Sequence, residues 1–294
     1  MTTTGPTTEP RVIHGAAEMR EYVRVARARG ASIGVVPTMG ALHEGHLTLV
    51  DACRQQCDLV VVTVFVNPTQ FGSGEDFSRY PRTLAADVNL LYRRGTDLVF
   101  APETTAMYGP DHATRVEVAG PALTLEGDFR PTHFCGVATI VLKLFNVVQP
   151  DRAYFGRKDY QQVLVVRRMV ADLDVPVEIV TCPIARDPDG LAMSSRNIYL
   201  SAAERERALS LSRSLRQAAA MVADGELEVA RILAAMRAVL QAADVAIDYV
   251  AICHADTLTP LDRVSAPAVV LVAGRVGATR LIDNEMLDGS IAGA

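Results

Sequence analysis

A chain of 294 residues, 49% hydrophobic and 21% charged, has room for two domains and too many apolar residues to stay disordered. Its formal net charge of −5 argues against a nucleic-acid binder, which carries a basic stripe, and its longest strong apolar run, residues 59–66, falls far short of the ~18 residues that span a bilayer. Five cysteines, an odd count without framework spacing, read as reduced thiols in a cytoplasmic protein.

The first ten residues, MTTTGPTTEP, are rich in Thr, Pro and Gly and read as a disordered arm; they hold neither the basic nor the apolar stretch of a secretory signal. Residues 16–29 place Met19, Val23 and Ala26 on one helical stripe, which Gly30 stops. The runs at 33–36 and 59–66 lack polar alternation and are bounded by turn residues, as strands buried on both faces are. Residues 42–56 between them are long enough for a helix, which makes a strand–helix–strand unit, the building block of a parallel sheet. The pattern repeats with helices at 84–94, 136–148 and 159–173 and strands at 97–100, 152–155 and 177–180. The expected fold class is therefore α/β, with a Rossmann-like doubly wound parallel sheet whose ligands sit in the loops after Val36, Val66, Phe100, Phe155 and Val180. Beyond the DPDG stretch at 187–190 the composition shifts to Ala/Arg-rich helices at 202–223 and 226–243, then strands at 247–252, 269–273 and 280–284, a smaller α+β domain. The expected division is residues 1–184 and 185–294, with the hinge near 184.

Of the 29 basic residues only Lys143 and Lys158 are lysine, which marks two positions where a compact ammonium is needed. The strongest local signal is PTMGALHEGH at 37–46, on a strand-to-helix turn. Gly40 permits close backbone approach, and His43 and His46, three apart, share one face of the first helical turn. A helix N-terminus offers N–H groups to phosphate, and two imidazoles add donors. Zinc on His43, His46, Cys53 and Cys57 is a rival, opposed by the ~10 Å that two to three helical turns interpose. FGRKDYQQ at 155–162 places Lys158 within reach of phosphates and Asp159 within reach of a ribose hydroxyl; a helix-start ion pair is the plainer alternative. In AMSSRN at 192–197, Ser194, Ser195 and Arg196 suit a pyrophosphate, or else form a loop and helix cap. In FVNPTQF at 65–71, Gln70 suits a hydroxyl and a carboxylate, or else is a solvated turn residue. All four fall at carboxyl ends of successive strands or in the loop that follows them, where one cleft would gather them. Gly72–Asp76, GSGED, is a candidate gate.

The pairing of HEGH with a Met-Ser-Ser-Arg loop resembles the HIGH and KMSKS motifs of the nucleotidyltransferase superfamily and class I aminoacyl-tRNA synthetases. With YPRT, THFCGVATIVLKLFN and the closing TRLIDN in the same order, the chain from about residue 33 to 284 resembles the pantothenate synthetase (pantoate–β-alanine ligase) family. The resemblance implies ATP-dependent joining of D-pantoate to β-alanine through an enzyme-bound pantoyl adenylate, with Mg²⁺, in a cytoplasmic homodimer that binds no nucleic acid or membrane. It implies an ATP site from Pro37, Thr38, Met39, Gly40, His43, His46, Gly156, Lys158, Asp159, Ala185, Met193, Ser194, Ser195 and Arg196. Of these, His43, His46, Lys158 and Arg196 would act on the reacting phosphates, and Gln70, Gln162 and Met39 would hold pantoate or β-alanine. The chain departs from the pattern after YPRT, where some members carry an acidic pair and a glutamine for magnesium. Here Ala86 and Leu90 stand at two of those positions and Asp87 is the remaining metal candidate, directly or through water, since magnesium commonly keeps several waters. A nucleotidyl transferase for a phosphorylated acceptor would keep HEGH but lack paired Gln70 and Gln162, and a non-catalytic nucleotide-binding regulator would have lost its phosphate-contacting set.

Overall fold

A computed structural model describes residues 9–265 and 267–287. The expectation for the Thr/Pro/Gly-rich arm therefore falls largely on residues 1–8, outside the described residues. The elements follow one another as β1 (Arg11–Ile13), α1 (Ala16–Ala28), β2 (Ile33–Thr38), α2 (Glu44–Gln56), β3 (Leu59–Val64), α3 (Leu84–Tyr92), β4 (Leu98–Phe100), the short α4 (Thr104–Met107) and α5 (Glu126–Phe129), α6 (His133–Val148), β5 (Arg152–Gly156), α7 (Tyr160–Asp172) and β6 (Glu178–Cys182). Then come α8 (Ala202–Ala223), α9 (Val229–Ala242), β7 (Ala246–His254), β8 (Ala268–Val276) and β9 (Thr279–Met286). The chain divides into two compact units, one of residues up to Arg157 together with Gln161–Pro183, the other of Lys158–Tyr160 and Ile184 onward.

In the first unit six parallel strands run in the order β1-β4-β3-β2-β5-β6. The doubly wound α/β fold is thus observed, and its apolar runs are read out on alternate faces. Ile33, Val35 and Val61 pack with α1, α6 and α7 around Met19, Phe145 and Met169. Val36, Val60 and Val62 pack on the other side with Leu47, Val50 and Cys53 of α2 and Leu91 of α3. β1, absent from the expected elements, is three residues long and pairs with Leu98–Phe100 at the sheet edge.

The strand order turns at β2, which lies between β3 and β5. β2 pairs with β3 along six residues, from Ile33 to Thr38, but with β5 only at Gly34 and Val35. The sheet opens past Val35 at the carboxyl end of its topological switch point, the place where such sheets receive ligands. Pro37, which has no N–H, can stay in register opposite Thr63 because the β2–β5 ladder has already ended. The expected helix at 42–56 starts two residues later, and the expected strand at 59–66 ends at Val64.

The second unit holds the antiparallel sheet β7-β8-β9 covered by α8 and α9, with Leu211, Leu215, Ile232, Met236 and Leu240 against Val250, Val270 and Val272. Lys158 and Tyr160 group with this unit through two bonds: Asn284 Nδ2 donates to Lys158 O (3.0 Å) and Tyr160 OH donates to Ala255 O (2.9 Å).

Gly136, near the start of α6, faces the turn after β3. A Cβ there would stand 2.6 Å from Gln70 N and closer still to Thr69 O, both backbone atoms that cannot yield cheaply. Gly136→Ala is expected to lower stability by about 1–3 kcal/mol, as overpacking does. Urea denaturation of variant and parent checks this.

Candidate active site

The loop that joins β2 to α2 is built from its own polar atoms. Thr38 Oγ1 donates to Thr63 O (2.6 Å) and accepts from Gly40 N (3.1 Å). Gly40 and Ala41 both have positive φ, 80° and 49°. That conformation is natural for glycine and costs alanine a steric penalty. The Asp87 carboxylate, buried on α3, meets the two N–H groups that follow: Ala41 N donates to Oδ2 (3.1 Å) and Leu42 N to Oδ1 (2.8 Å). Thr83 Oγ1 adds a third bond to Oδ2 at 3.2 Å. Asp87, expected as a metal ligand, thus has both oxygens engaged by the loop. Among the described residues no group of three or more His, Cys, Asp or Glu is arranged to hold a metal ion.

His43 is not in the first turn of α2, as its spacing suggested. It is the N-cap, with extended backbone (φ −133°, ψ 174°). His46, three residues on, reaches back and its Nδ1 accepts the His43 N–H at 3.3 Å. An acceptor at Nδ1 places the proton of the neutral ring on Nε2, which is then a donor. The two rings lie with centroids 4.1 Å apart. The spacing was legible; that it encodes a cap was not, because Ser, Thr, Asp and Asn are the usual capping residues. Cys53 and Cys57 face the sheet instead, Cys53 against Gly34 and Cys57 against Tyr154 OH at 3.5 Å. Burial, and then the neighbouring Cys57, push the Cys53 thiol up.

After β3, Gln70 is buried and its amide is aimed at both ends. Oε1 accepts from Asn67 Nδ2 (3.1 Å), and Nε2 donates to Met39 Sδ (3.1 Å), so Met39 and Gln70, both expected in the site, meet directly. Asn67 lies inside the FVNPTQF block but was not among the expected site residues. Its Nδ2 also donates to Gly136 O (3.1 Å), and its Oδ1 accepts from Thr69 and from Tyr108 OH (2.7 Å). Lys143, the lysine without an expected role, sits over the Tyr108 ring with Nζ 5.7 Å from the centroid. Gln70 O is held by Arg130 Nη2 (3.3 Å) and His133 Nδ1 (3.0 Å), and Arg130 also grips Glu75 of the GSGED loop with two bonds of 2.8 Å. Burial pushes the Glu75 carboxyl up, but the hydrogen bond and charge of Arg130 outweigh it and hold the group below the usual carboxylate range.

Gln162 lies half-buried in the first turn of α7, and its neighbour Gln161 is fully engaged. Gln161 Nε2 donates to Pro121 O (2.7 Å) and Thr124 O (2.6 Å), and its Oε1 accepts from Glu126 N (3.1 Å). Gly156 ends β5 beside Cys182 of β6.

In the second unit a tight turn sets Ala185 and Met193 opposite each other. Met193 N donates to Ala185 O (2.9 Å), Arg186 bridges to Ala192, and Gly190 N closes on Asp187 O (2.8 Å) at a left-handed glycine (φ 94°). Arg186 holds the buried Asp283 with bonds of 2.7 and 3.0 Å, and Arg205 holds Asp187 and Asp189. Burial pulls the Arg186 guanidinium down, but its bonds to Asp283 outweigh that and raise it. On this base Ser194 Oγ accepts from Arg196 N (3.3 Å) and caps a 3₁₀ turn, Ser195–Tyr199. Lys158 and Asp159 belong to the same unit, Lys158 half-buried and Asp159 exposed.

Burial, and next the Arg130 charge, push His133 down to about 4. The ring is neutral at pH 7, and since Gln70 O can only accept, the proton is on Nδ1. Unfolding frees the ring to protonate near 6.5, so the unfolded state binds the extra proton between pH 6.5 and 4. Stability should fall by about 3 kcal/mol from this group as pH drops through that window. Urea melts from pH 7 to 4 on the parent and on His133→Asn check it: the variant should show the shallower slope.

Comparison with known proteins places these blocks in one context. A family model described as Pantoate-beta-alanine ligase matches residues 11–286. A pantothenate synthetase of Moorella thermoacetica is 54% identical over 273 residues, covering 92% of this chain and 96% of that protein. The crystal structure of pantothenate synthetase from Thermus thermophilus superposes with a TM-score of 0.90 at 49% identity, over 95% of this chain and 99% of that one. A pantoate-beta-alanine ligase from Francisella tularensis, solved with beta-gamma ATP and beta-alanine, gives a TM-score of 0.79 at 32% identity over 95% of this chain and 98% of its own.

Proposed function

The chain belongs to the pantoate–β-alanine ligase family, and from that premise we propose how its own residues carry out the ATP-dependent joining of pantoate and β-alanine to pantothenate. The observation that carries the reading is the bond from Gln70 Nε2 to Met39 Sδ. It ties an amide suited to a hydroxy acid to the loop that bears His43 and His46, so one unit offers an acid-reading group beside a phosphate-reading turn.

Pantoate enters with its hydroxyl and carboxylate on Gln70 and Gln162. A carboxylate oxygen attacks the α-phosphorus of ATP, the bond to pyrophosphate breaks, and a pantoyl adenylate forms. The obstacle is the approach of two anions, so the protein contributes fixed positive charge and donors rather than a nucleophile. His46, with its proton on Nε2, and His43 meet the phosphates at the α2 turn, together with Lys158 and Arg196. Ser194 and Ser195 bind the pyrophosphate, Asp159 and Gly156 the ribose side, and Pro37, Thr38, Gly40, Ala185 and Met193 the nucleotide. The neutral amine of β-alanine then attacks the acyl carbon, the bond to AMP breaks, and the amine's proton passes to the departing AMP phosphate. Catalysis is positioning and charge stabilisation.

Magnesium enters as the counter-ion of the ATP triphosphate and so as part of the substrate. Asp87 is a poor direct ligand for it, because its oxygens already accept three of the roughly four hydrogen bonds a carboxylate can take. The resemblance also supports a homodimer, and the five cysteines, all free, suit the reducing cytoplasm. No helix among the described residues is long and apolar enough to cross a membrane.

ATP–pyrophosphate exchange that requires D-pantoate but not β-alanine tests the adenylate. Folded, ATP-binding protein without such exchange would sink the reading and favour a phosphorylated acceptor. Lys158→Ala should slow exchange by about 100- to 1000-fold, the scale of losing one preorganised charge or donor. Gln70→Ala should raise the KM for pantoate about 10-fold while leaving that for ATP within about 2-fold; equal losses for both would remove Gln70 from the pantoate site.

A further inference from the structure

The turn between β2 and α2 directs four consecutive backbone donors to its own or neighbouring side chains. Gly40 N–H goes to Thr38 Oγ1, Ala41 N–H to Asp87 Oδ2, Leu42 N–H to Asp87 Oδ1 and His43 N–H to His46 Nδ1. After the positive-φ residues Gly40 and Ala41, the successive N–H groups of Ala41 and Leu42 converge on one carboxylate, a hollow of the kind that holds an anion. The anion in that hollow is internal. Asp87 is 1% exposed, and a Cβ on Gly40 would come within 3.1 Å of its Oδ2, so the loop closes directly onto the carboxylate.

We infer that Asp87 is a positioning residue for the reaction. Its carboxylate fills the hollow that a phosphate group would otherwise enter, and by holding Ala41 and Leu42 it sets the backbone from which His43 and His46 present their rings. Phosphate at this turn is met by imidazole rather than by the amides of residues 40–43. The inference rests on the reading that this turn receives the phosphates of ATP. A cation on Oδ2 would face the Ala41 N–H and Thr83 O–H dipoles already aimed there, and one on Oδ1 the Leu42 N–H, with about one of the carboxylate's roughly four acceptor sites left open. Thr83, the residue that precedes α3, completes the device by fixing Oδ2.

Asp87→Asn keeps the shape and removes the charge, and Thr83→Val removes one hydrogen bond. In pantoate-dependent ATP–pyrophosphate exchange, Asp87→Asn should lose roughly 10- to 100-fold in kcat, the scale of a small misplacement of reacting groups. The KM for ATP and for pantoate should move by less than about 3-fold, and the magnesium concentration at half-maximal rate should stay where it is. Thr83→Val should lose about 2- to 10-fold in the same way. Amide hydrogen–deuterium exchange should quicken at Ala41 and Leu42 while the amides of the α2 interior keep their protection. A higher magnesium requirement with kcat restored at high magnesium would make Asp87 a metal ligand and overturn the inference, as would unchanged kcat in Thr83→Val or in Asp87→Asn. If Asp87→Asn does not fold, Thr83→Val decides alone, by lowered kcat at unchanged magnesium dependence or by unchanged kcat. Failure of the parent enzyme to show pantoate-dependent exchange would count against the functional reading instead. Exchange at the amides of 41 and 42 in Asp87→Asn would still separate a held loop from one that needs no carboxylate.

Discussion

The first unit is organised around one requirement: a chain that leaves a buried parallel strand and turns sharply into a helix must find acceptors for the N–H groups at the bend. At residues 40–43 those acceptors are Thr38, Asp87 and His46. Each is also a fold contact. Thr38 is bonded to the neighbouring strand at Thr63, Asp87 anchors α3, and His46 closes the first turn of α2. The loop is therefore held by three elements at once, which is how the left-handed Ala41 persists.

The same economy runs through the turn after β3. Asn67 gathers Gln70, Thr69, Tyr108 and the backbone of Gly136 into one network, and Gly136 lacks a side chain because that network's backbone lies against it. Arg130 and His133 hold the carbonyl of Gln70 from the other side. A glutamine amide has four hydrogen-bonding sites and free rotation about its side-chain bonds. Fixing two of the four leaves the others pointing in set directions. In the second unit the Arg186–Asp283 pair does the corresponding work, joining the turn before Met193 to the last strand of the sheet. The opposed pair is nearly buried on the Asp283 side, so its value lies in fixing one geometry rather than in net stability.

Much of this is legible in the amino-acid order alone. Apolar runs without alternation at 33–36 and 59–66 read as strands buried on both faces, and they pack on both faces. HEGH, FVNPTQF, GRKDYQQ and AMSSRN are each recognisable as blocks because they combine rare chemistry with turn residues. Less legible are the edge strand β1, three residues long, and the N-cap at His43, since a short strand has no periodicity and histidine is an uncommon cap. A division at residue 184 leaves Lys158 with the first domain, whereas Lys158–Tyr160, bonded to Asn284 and Ala255, group with the second unit.

What the amino-acid sequence determined by itself is the α/β class, the order of the main strands and helices and the blocks that mark the family. Those follow from residue type and from spacings of a few residues, where the backbone's own geometry supplies the inference. What only the tertiary structure decided is which acid, amide or arginine holds which loop. Asp87 meets its loop from 46 residues away, Gln161 its segment from 40, and Arg186 its aspartate from 97. Nothing in local propensity selects such partners. They are chosen by which buried donors the packed elements leave without an acceptor, and that is known only once the elements have packed.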